Sequence, residues 1–160
     1  MIWIEEQELL KLAEQVATEA HKGQTRWNGE PYIIHPKAVA NSFENPGFKI
    51  IAFLHDVIED TFITYEDLIK KGIPEKLAKV VSILSRRENE TYYDFILRIS
   101  KHDMATKVKI GDLNHNLSDL KEGTLKDKYR LARYVLRQKL RKLEWRWKKK
   151  IYGITIFIWV

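Results

Sequence analysis

The sequence predicts an all-α protein, because helical periodicity recurs along the chain and strand patterns are nearly absent before residue 151. Apolar side chains recur at helical spacing over residues 5–21, and Pro36 suits the first turn of a following helix. Turn-forming Gly, Asn and Pro residues separate these stretches at 22–34 and 45–47. The predicted helices span about residues 5–21, 36–44, 48–60, 64–71, 74–84, 91–101, 103–118 and 125–149.

Length and composition limit the class of protein. A chain of 160 residues fits one domain whose core needs no disulfide. It has no cysteine, which excludes thiolate metal sites and fits a reducing compartment, so we expect a cytoplasmic protein. The N-terminus lacks the basic start of a signal peptide, and no apolar run approaches the roughly 20 residues of a membrane span. We predict a single domain over residues 1–150 and a short apolar tail over 151–160.

The net charge of +6 is unevenly distributed. Residues 1–120 carry a net charge of −4, whereas residues 121–160 hold 13 Lys and Arg against 3 Asp and Glu. The simplest interpretation of the basic segment is a closing helix with a solvated cationic face. A basic wall over an anionic substrate, a nucleic-acid contact without a recognised motif and a membrane-surface contact are alternatives. The oligomeric state is left open.

The segment KIIAFLHDVIEDT, residues 49–61, holds the densest group of candidate functional side chains. As one helix it would place its aliphatic residues on one face and its acidic residues with His55 on the other. The helix is apolar almost all round, which indicates a buried position, and buried carboxylates need a cation or a hydrogen-bond network. An exposed acidic face with an incidental histidine is the alternative.

A divalent metal would satisfy the His55–Asp56 pair if other helices supplied further ligands. His35, at the start of the second predicted helix, and Asp112, in the helix over 103–118, are the candidates. Two imidazoles and two carboxylates suit manganese, iron or zinc rather than calcium, and leave positions for water. One turn beyond the pair, Glu59 and Asp60 could orient that water or accept its proton.

Four motifs resemble the hydrolase domain of RelA/SpoT-type proteins, which cleave the alarmone (p)ppGpp. They are HKGQTR at 21–26, GEPYIIHP at 29–36, LHDVIEDT at 54–61 and GDLNHN at 111–116. Their order and approximate spacing match the family over about residues 9–120. As a set they are far more specific than the His-Asp pair alone.

The resemblance implies an HD-domain helical bundle around a buried metal site, in a small stand-alone alarmone hydrolase. It implies manganese as the usual ion, with other divalent transition metals possible. The implied reaction removes pyrophosphate from the 3′ position of a guanosine polyphosphate and leaves GDP or GTP. The implied site residues are the metal ligands His35, His55, Asp56 and Asp112, the catalytic carboxylates Glu59 and Asp60, and the substrate contacts Arg26, against the guanine ring, and Asn116, at the nucleoside.

The chain also departs from the family pattern. Gly111, Leu113 and Asn114 replace the usual Ala before Asp112 and the Arg-Leu after it, and Trp27 stands where a basic residue is common. No ligand is lost, but positive charge near the phosphates is. Two alternatives therefore stay open: an HD phosphohydrolase for another nucleotide, such as a nicotinamide dinucleotide phosphate, and a regulatory protein that binds a nucleotide without turnover.

Overall fold

The computed structural model describes residues 2–152, and within that range the side chains of residues 5–142, 144 and 145. Apart from one isolated bridge between Thr25 and Pro31, regular structure in this range is helical, which confirms the all-α prediction. The helices are α1 (Ile2–Ala20), α2 (Ile34–Asn41), α3 (Pro46–Leu54), α4 (Val57–Asp60), α5 (Tyr65–Lys70), α6 (Glu75–Leu84), α7 (Tyr92–Ile99), α8 (Asp103–Asp119) and α9 (Thr124–Tyr152).

Helix α3 forms the centre of the bundle, as its apolar sequence predicts. It begins at Pro46, where the side chain of Asn45 accepts hydrogen bonds from the Gly47 and Phe48 amides. All residues from Ile50 to Leu54 are buried. The helix packs against α1, α2, α6 and α8, so the residues that follow it lie inside the bundle.

The prediction of one continuous helix over 48–60 is wrong. Helix α3 ends at Leu54 and α4 begins at Val57, with His55 and Asp56 in the turn between them. In an unbroken helix these two side chains would diverge by about 100°. The break instead brings His55 Nε2 to 3.0 Å from Asp56 Oδ2. A tertiary polar cluster therefore replaces a turn of regular helix.

The last described helix, α9, packs against α8. Its buried side chains are Ala132 and Leu136, whereas Leu131 and Tyr134 are 64% and 61% exposed. The predicted apolar stripe, which included Leu131 and Tyr134, is therefore only partly the packing face. The predicted tail over 151–160 begins inside α9, and its residues 153–160 lie outside the described residues. None of the described helices has the length and apolar character needed to cross a bilayer.

Candidate metal centre

Three separate parts of the fold bring the four predicted metal ligands together. His35 lies in the first turn of α2, His55 and Asp56 lie between α3 and α4, and Asp112 lies in α8. His35, His55 and Asp112 are 3%, 1% and 2% exposed. His35, His55 and Asp56 form a buried group whose ligand atoms all lie within 4.8 Å of one another, consistent with a divalent metal site.

Asp112 joins the same cluster through one carboxylate oxygen. Its Oδ1 lies 3.0 Å from His35 Nε2 and 3.7 Å from His55 Nε2. The two Nε2 atoms are 3.2 Å apart, and Asp56 Oδ2 lies 3.7 Å from His35 Nε2. Ligands about 2.1 Å from one ion are about 3.0–3.4 Å apart at octahedral or tetrahedral angles, which is the spacing seen here.

Hydrogen bonds on the far side of each imidazole fix which nitrogen carries the proton. His55 Nδ1 lies 2.7 Å from the Ala52 carbonyl oxygen, which can only accept, so Nδ1 donates. His115 Nδ1 accepts from Arg26 Nη1 at 3.2 Å, because a guanidinium has no acceptor. His35 Nδ1, 2.8 Å from that acceptor, is therefore also a donor. Both Nε2 lone pairs face the cluster, as metal ligation requires.

The carboxylates of the cluster are electrostatically stabilised. Lys109 Nζ lies 2.7 Å from Asp112 Oδ2, and Asn116 Nδ2 donates to Asp112 Oδ1 at 2.6 Å. Burial opposes ionisation of Asp112, but Lys109 and the histidines outweigh it and lower its pKa. Burial would likewise lower the pKa of His55, but Asp56 and Asp112 raise it to about 10. The cluster therefore favours positive charge at the point where the ligands converge.

The two predicted catalytic carboxylates lie differently. Asp60 faces the cluster: Tyr32 Oη lies 3.0 Å from Asp60 Oδ2 and 2.7 Å from Asp56 Oδ2. Glu59 accepts a hydrogen bond from the Arg86 amide at 3.0 Å. Desolvation raises the pKa of both, and for Asp60 the charge of Asp56 adds to the effect.

The two predicted substrate contacts both have partners within the protein. Arg26 is 8% exposed and pairs with Asp119 at 3.0 Å, besides its bond to His115. It is therefore not the solvated loop charge that was the alternative interpretation. Asn116 holds Asp112, so its amide lies beside a predicted ligand.

Comparison with known proteins places this geometry in a family context. No family model matches the chain. The bifunctional (p)ppGpp synthase/hydrolase SpoT of Escherichia coli K12 is 35% identical over 142 residues, which cover 79% of this chain and 20% of SpoT. The chain is homologous to the hydrolase region of SpoT/RelA proteins. The guanosine-3′,5′-bis(diphosphate) 3′-pyrophosphohydrolase of Aquifex aeolicus is 34% identical over 125 residues, 71% of this chain and 18% of that protein.

A solved structure supports the HD-type fold of this SpoT-like chain. It is that of a metazoan ortholog of SpoT, with a TM-score of 0.69 and 23% identity. The match covers 83% of this chain and 85% of the metazoan one. Against the curated SpoT relatives, by contrast, the chain spans only about a fifth of their length.

Sequence reasoning missed two residues of this SpoT-like cluster and left a third undecided. Lys109, three residues before Asp112, had a detectable signal, since the i,i+3 spacing brings the two side chains together on a helix. Tyr32 had none, because its contacts with Asp56 and Asp60 cross from a loop to α4. His115 was considered only as a neighbour of Asn116, and it holds His35.

Proposed function

We propose that this chain hydrolyses the guanosine alarmone (p)ppGpp, releasing the 3′-pyrophosphate to give GDP or GTP. The observation that carries the proposal is the convergence of two imidazole Nε2 atoms and two aspartate oxygens in a chain similar to SpoT. Its support from relatives includes proteins named for this 3′-pyrophosphohydrolase activity. A protein that only bound nucleotide would have no need of this ligand set beside additional carboxylates.

In this proposal His35, His55, Asp56 and Asp112 hold one divalent ion, with Mn²⁺ as the expected metal. The donor set fits, because a mixture of imidazole and carboxylate ligands suits first-row transition metals. When bound, such an ion supplies Lewis acidity at the phosphoryl group. Lys109 neutralises the second oxygen of Asp112 and Tyr32 donates to Asp56, which keeps both carboxylates ionised and oriented.

Asp60 and Glu59 are the proposed acceptors of the proton from the attacking water. Their raised pKa values make them better bases than ordinary carboxylates while they stay ionised near neutral pH. The oxygen of water forms a bond to the phosphorus attached to the ribose 3′ oxygen. The bond between that phosphorus and the 3′ oxygen breaks, and the 3′ oxygen leaves with a proton. Asp60 is the better placed, because Tyr32 links it to Asp56.

Arg26 and Asn116 are the proposed contacts to the guanosine. A guanidinium can stack on a purine ring, and an amide can hydrogen-bond the nucleoside. Arg26 is tied to Asp119 and His115, so stacking on guanine requires these contacts to rearrange or to leave one face of the guanidinium open. We also propose that the enzyme acts in the cytoplasm, which suits a chain without cysteine.

The test is incubation of the purified protein with ppGpp and Mn²⁺, with pyrophosphate and GDP measured together. We expect stoichiometric release that chelation abolishes. Asp56→Ala should lose Mn²⁺ binding and turnover together. Glu59→Ala and Asp60→Ala should keep Mn²⁺ bound and lose turnover, whereas Glu66→Ala, at an exposed position on α5, should behave as wild type.

Three results would separate the alternatives. Turnover of another phosphorylated nucleotide, but not of ppGpp, would keep the phosphohydrolase and reject the substrate. Tight nucleotide binding without turnover would favour a regulatory protein. Wild-type turnover in both Glu59→Ala and Asp60→Ala would remove these carboxylates from the mechanism.

A further inference from the structure

Helix α9 carries cationic and aromatic side chains along the face that points away from the bundle. Tyr134 and Trp145 are 61% and 41% exposed. They are eleven residues apart, which puts them on one helix face about 16 Å from each other. By the same helical geometry, three exposed arginines lie within about 60° of this line. The outer stripe of α9 thus comprises Arg130, Tyr134, Arg137, Arg141 and Trp145.

The outer stripe is separate from the metal centre. The buried residues of α9, Ala132 and Leu136, lie on the opposite side of the helix and face the bundle. Helix α8, which carries Asp112, packs against α9. The outer stripe therefore contributes nothing to the core or to the ligand cluster, and substitutions in it can be tested without altering either.

The charges of the outer stripe are only partly compensated. Arg130 pairs with Glu122 and Asp127. Among the residues with described side chains, no carboxylate lies within 4.0 Å of Arg137 or Arg141, and Arg137 has only a 3.4 Å hydrogen bond to Asn114. In sequence the helix continues with Arg146 and three lysines at 148–150. The surface is suited to a polyanion.

We propose that the outer stripe of α9 binds single-stranded nucleic acid. Guanidinium groups pair with backbone phosphates, and exposed aromatic rings offer faces on which unpaired bases stack. The alternation of arginine with Tyr134 and Trp145 matches both parts of that ligand. A helix that lies on a membrane needs a continuous apolar face beside its cations, whereas guanidinium groups interrupt the rings of this stripe. An acidic protein would use the charges but not the rings.

The test uses the full-length protein and a fluorescein-labelled 20-nucleotide oligo(U), followed by fluorescence anisotropy across a salt series. Arg137→Gln/Arg141→Gln should weaken binding about tenfold or more. It should also lower the slope of log affinity against log salt by about 1.4, since each lost phosphate contact removes about 0.7 on a single strand. Lys76→Gln/Lys79→Gln is the matched control, because it removes two exposed charges from α6 and should leave binding unchanged.

Stacking is tested separately from charge. Tyr134→Ala should weaken oligo(U) binding roughly fivefold or more with the salt slope unchanged, whereas Tyr93→Ala, at an exposed position on α7, should have no effect. Duplex DNA of the same length should bind more weakly than oligo(U), because its bases are not free to stack.

The proposal would be overturned if wild-type protein failed to bind oligo(U). Equal weakening by the two double variants, or binding to vesicles of phosphatidylglycerol in place of oligo(U), would also overturn it. Alarmone hydrolysis should be unchanged in all five variants. Because the binding assay needs no turnover, this proposal and the proposed function can fail independently.

Discussion

Individual side chains outside the predicted ligand set determine whether the ligands can act together. His115 accepts from Arg26 and from His35, which leaves His35 Nε2 unprotonated toward the cluster. Burial lowers the pKa of His115, and the neighbouring His35 and Arg26 lower it further. His115 therefore stays neutral and keeps the lone pair that this arrangement requires. At this scale the candidate site is a chain of orientations that begins at Arg26 and ends at the ligands.

Tyr32 should matter for metal affinity. Burial and the facing carboxylates raise its pKa, so the hydroxyl stays a donor to Asp56 and Asp60. Tyr32→Phe removes that donor and should weaken Mn²⁺ binding about tenfold, as is typical when a group that orients a ligand is lost. Calorimetric titration with Mn²⁺ measures the change. The control is Tyr93→Phe, at an exposed ring, and equal affinities in all three proteins would exclude the orienting role.

Lys109 should matter for stability. Its ammonium group is the cation nearest Asp112, and burial of an unpaired charge is costly. Lys109→Met should lower the free energy of unfolding by about 3 kcal/mol without metal. Saturating Mn²⁺ should narrow the difference, since the ion supplies positive charge to the same carboxylate. Urea unfolding measures both values, with Lys107→Met, at an exposed position of α8, as control. A metal-free variant as stable as wild type would refute the assignment.

At the scale of helices, local sequence determined most of what could be predicted. Thr64 and Asp67 form the capping box that begins α5, and Gly72, at φ +96°, follows its end as predicted from the residue types. The break at His55–Asp56 could not be predicted, because the apolar periodicity continues through it. What interrupts the helix is the cluster formed with α2 and α8, and such tertiary contacts leave no local pattern. The same reason hid Tyr32.

The junction between α6 and α7 depends on Arg98. This residue donates to Glu90 through both Nε and Nη2 at 2.7 Å, and to the carbonyl oxygens of Ile83 and Ser85 at the end of α6. The side chains of Arg98 and Glu90 are 17% and 11% exposed. Hydrogen bonds from Arg98 lower the pKa of Glu90 from 4.5 to about 2. The loop and both helices are thereby joined through one guanidinium.

This pair should make part of the stability depend on acid. Because the pKa of Glu90 is lower in the folded state, its contribution is complete above pH 4.5 and is lost as pH falls toward 2. Glu90→Gln should cost about 1–2 kcal/mol at pH 7. The difference from wild type should shrink to near zero at about pH 2, as measured by denaturant unfolding across pH. A difference that stayed constant down to pH 2 would show that the charge of Glu90 is not the cause.

At the scale of the whole molecule, the ligand cluster joins parts of the chain that are distant in sequence. His35 and His55 are 20 residues apart, and His35 and His115 are 80 apart. The core beneath them is apolar and continuous, so the bundle does not need the cluster for its hydrophobic packing. A ligand for the cluster would therefore add stability to a bundle that already has a core. The basic α9 lies on the far side of α8 and should not take part.

Metal binding should consequently stabilise α2, the α3–α4 junction and α8 as one unit. At a Mn²⁺ concentration 100 times Kd, stability should rise by about 2.7 kcal/mol, or about 5–10 °C in Tm. Hydrogen exchange should slow in all three regions at the same Mn²⁺ concentration, because each supplies a ligand, while exchange in the second half of α9 should not change. In Asp56→Ala, neither Tm nor exchange should respond to Mn²⁺. Protection confined to the α3–α4 junction would mean that His35 and Asp112 do not bind the ion, and the proposed four-ligand centre would then be wrong.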